Sequence, residues 1–98
     1  MKTIPNPIYA TIAFPTDRVP ILLTMMGKTK MTGHFLAVDH LPPTGKCGPF
    51  PVYDHEITSG ETIQTKPVSI YKTKTGWQYA GGCPVWLGKA RYFRNLAD

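Results

Sequence analysis

At 98 residues, with 42% hydrophobic and 17% charged side chains, the chain is one modest globular domain rather than a disordered or multidomain protein. Ten prolines and nine glycines exclude a helical bundle and suit short strands joined by turns. The formal charge of +5 allows a polyanionic or acidic partner without naming one.

Taken in chain order, Ile8, Ala10, Ile12 and Phe14 repeat at period two, which predicts a strand ended by Pro15. Ile21 to Met26 is a continuous apolar run, as in a strand buried on both faces. Gly27-Lys28-Thr29 turns it back into Lys30 to Asp39, where Gly33 marks a bulge or bend. Residues 40–51 hold four prolines and two glycines and read as a loop, either a binding surface or a stiff crossover. Val52 to Lys66 reads as a hairpin around Ser59-Gly60. Val68 to Ala80 reads as a second hairpin with a three-residue loop, Lys74-Thr75-Gly76. That register sets Tyr71, Thr73, Trp77 and Tyr79 on one face and Val68, Ile70, Lys72, Gln78 and Ala80 on the other. Gly81 to Pro84 is a break, and Val85-Trp86-Leu87 a short strand. Ala90, Phe93 and Ala97 fall at helical spacing and predict one or two turns of helix at the C-terminal end. The expected fold is all-β: a single domain over 1–98, a small barrel or two-layer sheet of six or seven short antiparallel strands.

The Ile21 to Asp39 stretch resembles the first motif of Sm-like RNA-binding barrels: an apolar strand, a glycine turn, a second glycine and an Asp. Gly33 to Asp39 has that family's spacing, and Gly27 to Gly33 is one residue longer. The family's N-terminal helix and second motif are not evident, and the resemblance spans under a fifth of the chain. It implies a small barrel and nothing finer. Gly45-Lys46-Cys47-Gly48 has the form of the clamp in KH domains, but the flanking prolines at 42, 43, 49 and 51 forbid the helices that clamp joins.

Charge is segregated along the chain. Residues 1–65 carry five basic and five acidic side chains, whereas 66–98 carry six basic ones against Asp98 alone. Six of the eleven aromatics share that last third. Lys72, Lys74, Lys89, Arg91 and Arg94 are therefore the candidate phosphate-contacting residues, and Tyr71, Trp77 and Tyr79 the candidate stacking rings. The expectation is a non-enzymatic binder of nucleic acid, single strands favoured. The alternative is an interaction module, a small inhibitor or adaptor, docking on an acidic protein surface. Exposed strand edges also allow self-association.

Chemistry has weaker support. His40, Cys47, His55 and Cys83 are fit as zinc ligands, but none forms the near pair that such sites use, so neither metal nor cofactor is expected. Asp39 with His55, or His40 with Asp54, would need to meet across the 40–51 loop to make a general base beside Cys47, and no nucleophile motif accompanies them. Residues 1–5 lack the apolar core of a signal peptide, and no apolar run approaches the ~18 residues of a membrane span. The chain is expected in the cytosol with Cys47 and Cys83 reduced, a Cys47–Cys83 disulfide being the alternative for an exported protein.

Overall fold

The computed structural model describes residues 1–57 and 64–96. Among them lie nine strands and no helix: β1 (Lys2–Ala13), β2 (Arg18–Met26), β3 (Lys30–Leu36), β4 (Gly45–Cys47), β5 (Phe50–Ile57), β6 (Gln64–Thr73), β7 (Gly76–Gln78), β8 (Val85–Leu87) and β9 (Ala90–Asn95). The sheet is antiparallel and runs β4-β5-β9-β2-β3-β6-β7, with β1 on the second edge of β2 and β8 on β1. A bridge between Gln78 and Pro84 brings the β7 end back to β8, so the sheet curls round on itself. The all-β class and the small curled antiparallel sheet are as the sequence predicts.

The period-two face of β1 explains the inner core. Ala10, Ile12, Ile21, Leu23, Met31, Val68, Ile70 and Val85 fill the inside of the curl, and Ile8 and Phe14 pack against them. The next residues along β2 and β3 point the other way. Leu22 and Leu36 pack there with Ile57 and Ala90, which joins the β4-β5-β9 wing to the outside of the curl. The apolar run of β2 thus serves two cores at Ile21, Leu22 and Leu23, while Met25 and Met26 are exposed. No helix of the described residues is long and apolar enough to cross a membrane.

Thr11 is buried between the two layers. Its Oγ1 donates to the Lys89 carbonyl and accepts from the Arg91 N–H at 2.9 Å. Thr11→Val keeps the shape and strands both backbone groups, so it is expected to cost about 1–3 kcal/mol in urea unfolding. An unchanged midpoint would mean that Thr11 does not tie β1 to the start of β9.

Five expectations are corrected. β1 begins at Lys2, well before Ile8. Pro5 and Pro7 lack the N–H a ladder needs, and the register jumps from Thr3↔Met25 to Ile8↔Leu23, five steps along β1 against two along β2. The 40–51 loop contains β4, which turns at Gly48 (φ 63°) and pairs with β5. The predicted C-terminal helix is instead β9, a strand paired with β5 from Ala90↔Ile57 to Asn95↔Val52. The Val68–Ala80 hairpin forms with a two-residue turn, so Tyr71 pairs with Gln78, Lys72 with Trp77 and Thr73 with Gly76. The predicted 52–66 hairpin does not form between the described strands: β5 pairs with β4 and β9, and β6 with β3 and β7, so the two part into different regions of the sheet. Its expected turn at Ser59-Gly60 lies outside the described residues.

Candidate functional site

The one-residue change of register divides the predicted ring cluster, because neighbouring strand residues face opposite ways. Trp77 and Tyr79 turn inward and pack, half-buried, against the inner core. Tyr79 meets Phe14 and Phe35 edge-on, at centroid distances of 5.9 and 6.2 Å. Tyr71 alone of the three stands on the outer face, 46% exposed. Lys30, its partner on β3, holds its ammonium 5.7 Å from the Tyr71 ring centroid.

The predicted cations are also divided. Just before β9, Lys89 faces Glu56 at 3.7 Å, and on β9 Arg91 Nε and Nη2 both reach Asp54 Oδ1, the former at 2.8 Å. Two of the acidic residues of the neutral N-terminal part thus sit beside two of the basic residues of the last third. Arg94 is exposed opposite Tyr53 on the same wing. Lys72 and Lys74 are exposed at the β6–β7 turn, without a carboxylate partner among the described residues.

Three further lysines, not singled out by the sequence reading, join them. β1 starts, β2 ends, β3 starts and β6 ends at the same end of the curl, so the antiparallel register gathers distant segments there. Lys2 pairs with Met26, Lys28 lies in the β2–β3 turn, and Lys30 opens β3 beside Tyr71. The Lys72 N–H donates to the Thr29 carbonyl at 2.9 Å, which fastens the β6 end to that turn. None of the segments 1–5, 26–32 and 70–78 contains an Asp or Glu. Lys2, Lys28, Lys30, Lys72 and Lys74 thus form a lip of one sign.

Within the lip lies a hollow of about 740 Å³, with Met1, Ile4, Pro5 and Met26 as apolar lining and Lys2 and Lys28 among its walls. It lies beside the stretch of β1 that holds Pro5 and Pro7, where the β1–β2 register is irregular. A smaller recess of about 290 Å³ lies between Arg18, Trp86, Arg91 and Phe93. There the Arg18 guanidinium sits 5.0 Å from the Trp86 ring centroid and donates to the Phe14 and Asp17 carbonyls.

The groups considered for chemistry are not assembled. His55 Nε2 lies 2.7 Å from the Pro42 carbonyl oxygen, its ring stacks on Tyr92, and the Asp54 carboxylate is taken by Arg91. Among the described residues no three His, Cys, Asp or Glu side chains are grouped to hold a metal ion. Cys47 and Cys83 are free thiols.

No protein-family model, curated protein or solved structure matches this chain. Of the residues that carry the Sm-like resemblance, Gly27 lies in the β2–β3 turn, Gly33 within β3 and Asp39 beyond its end, and residues 2–13 form a strand where that family has its helix.

The ion pairs of Lys89 and Arg91 give a direct expectation. Lys89→Gln and Arg91→Gln should each leave the affinity for a polyanion within about twofold, because their charges are already balanced. Titration of each variant with a labelled oligonucleotide checks this, and a tenfold loss would place the binding face on the wing.

Proposed function

We propose that this is a small, non-enzymatic, cytosolic domain that binds nucleic acid through phosphate contacts at the lysine lip, with base stacking on Tyr71. The observation that carries the reading is the lip itself: five lysines from three separate chain segments, with no carboxylate in any of the three, beside an exposed ring. Such a field of one sign attracts a polyanion and holds it by release of its counterions. The strand ends β1, β2, β3, β6 and β7 lie side by side across about four inter-strand spacings, roughly 19 Å, room for several nucleotides of a single strand. The lysines are long and flexible and the ring offers only its face, which suits binding with little sequence preference. The free thiols suit a reducing compartment.

Of the residues expected at the interface, this reading keeps Lys72, Lys74 and Tyr71 and adds Lys2, Lys28 and Lys30. The test is the salt dependence of binding to a labelled oligothymidylate. The log–log slope is expected to approach about −3.5 if all five lysines meet phosphates, at about −0.7 for each. Binding that ignores salt, or no binding at low salt, would overturn the reading in favour of a protein partner.

A further inference from the structure

We infer that the hollow beside the β2–β3 turn seats an unpaired base, so that the ligand is gripped by its bases as well as by its phosphates. This rests on the function proposed above and specifies its ligand as single-stranded nucleic acid. The hollow lies where charge and apolar exposure coincide: Met1, Met25 and Met26 are 57%, 36% and 42% exposed at the end of the curl that carries the lysine lip. At about 740 Å³ its volume is in the range of small-molecule sites, which is roughly 300–1,000 Å³. Its lining of Met1, Ile4, Pro5 and Met26 offers apolar faces and flexible thioethers that mould to a planar ring. Lys2 and Lys28 stand where the phosphates on either side of a seated base would run.

Geometry separates this base from the one on Tyr71. Met26 pairs with Met31 of the inner core, so the hollow belongs to the inner face of the curl. Tyr71 pairs with Lys30 on the outer face. A strand crossing the lip therefore places one base inside and another outside, with its backbone over the β2–β3 turn. A duplex, whose bases are paired and stacked, cannot do this without flipping a base out. Base identity is not read, because the apolar lining presents no pattern of donors and acceptors.

The test uses the whole chain and three fluorescent probes: oligothymidylate of about ten nucleotides, an abasic strand of equal length, and a duplex. The abasic strand is expected to bind about tenfold or more weakly with the same salt slope, and the duplex more weakly than oligothymidylate. Met26→Gln, at an exposed position that leaves the fold and the charge intact, is expected to weaken oligothymidylate binding about threefold to tenfold and abasic binding not at all. Equal binding of the abasic strand and oligothymidylate, a duplex bound as tightly as the single strand, or an unaffected Met26→Gln variant would each overturn the seated base. The salt slope would still support phosphate binding in those cases. If no probe binds but vesicles of phosphatidylserine and phosphatidylcholine do, both the seated base and the nucleic-acid reading fall.

Discussion

Gly33→Ala is expected to destabilise the protein by about 3 kcal/mol or more, a large part of the roughly 5–15 kcal/mol that holds a domain of this size together. Gly33 pairs with Leu23 on one side and Val68 on the other, in the middle of the curl. Beside it the β2–β3 register shifts between Leu23 and Met25, and the β2 backbone bends in against the glycine. A Cβ at residue 33 would lie 1.9 Å from the Leu22 carbonyl oxygen and 2.7 Å from the Leu23 Cα. Both are backbone atoms of a strand laddered to β1 on its other edge, so relief requires breaking a ladder. Gly45→Ala is the matched control, since a Cβ there meets nothing within 4 Å, and it should stay within about 0.5 kcal/mol of the parent. Urea unfolding followed by circular dichroism distinguishes them. A Gly33→Ala variant as stable as the parent would show that β2 and β3 are not in this register.

The second large effect concerns binding. Replacing Lys2, Lys28, Lys30, Lys72 and Lys74 together by Gln is expected to lower oligothymidylate affinity about a thousandfold or more at about 0.1 M salt and to flatten the salt slope almost to zero. Single replacements should each reduce the slope by about 0.7. Lys28, Lys72 and Lys74 are exposed and Lys30 is half-exposed at a turn, so the fold should survive. The quintuple variant also brings the formal charge from +5 to 0, which by itself lowers attraction to any polyanion. The Lys89→Gln and Arg91→Gln variants supply the comparison, because they remove charge away from the lip. Equal losses from the lip and from β9 would mean that net charge, not placement, holds the ligand.

The local parts of this fold were legible in the sequence, and the non-local parts were not. The alternation from Ile8 to Phe14, the apolar run of β2 and the Gly27–Thr29 turn report on neighbouring residues and are recovered in the structure, whereas the bulge expected at Gly33 lies across from it, at Thr24 of β2. The β6–β7 hairpin was legible as a hairpin, but Lys74-Thr75-Gly76 fits a three-residue loop as readily as a two-residue turn that places Gly76 at φ 126°. That single step turned Trp77 and Tyr79 from platform into core. Ala90, Phe93 and Ala97 matched a helix because the strand partner of this segment, β5, lies over thirty residues away. The same distant pairing neutralises Lys89 and Arg91, which appeared unopposed along the chain. The lysine lip escaped notice for the converse reason. Each contributing segment carries only one or two lysines, and the antiparallel register of β1, β2, β3 and β6 is what gathers them.

Nucleic acid binding at the lysine lip, rather than on the β4-β5-β9 wing, is what the proposed function requires. Amide chemical-shift mapping during an oligothymidylate titration tests it most directly. Progressive shifts are expected at Lys2, Gly27, Lys28, Lys30, Tyr71, Lys72 and Lys74, with Lys89, Arg91 and Arg94 unmoved. Shifts centred on β5 and β9, or a spectrum indifferent to the oligonucleotide at low salt, would contradict it.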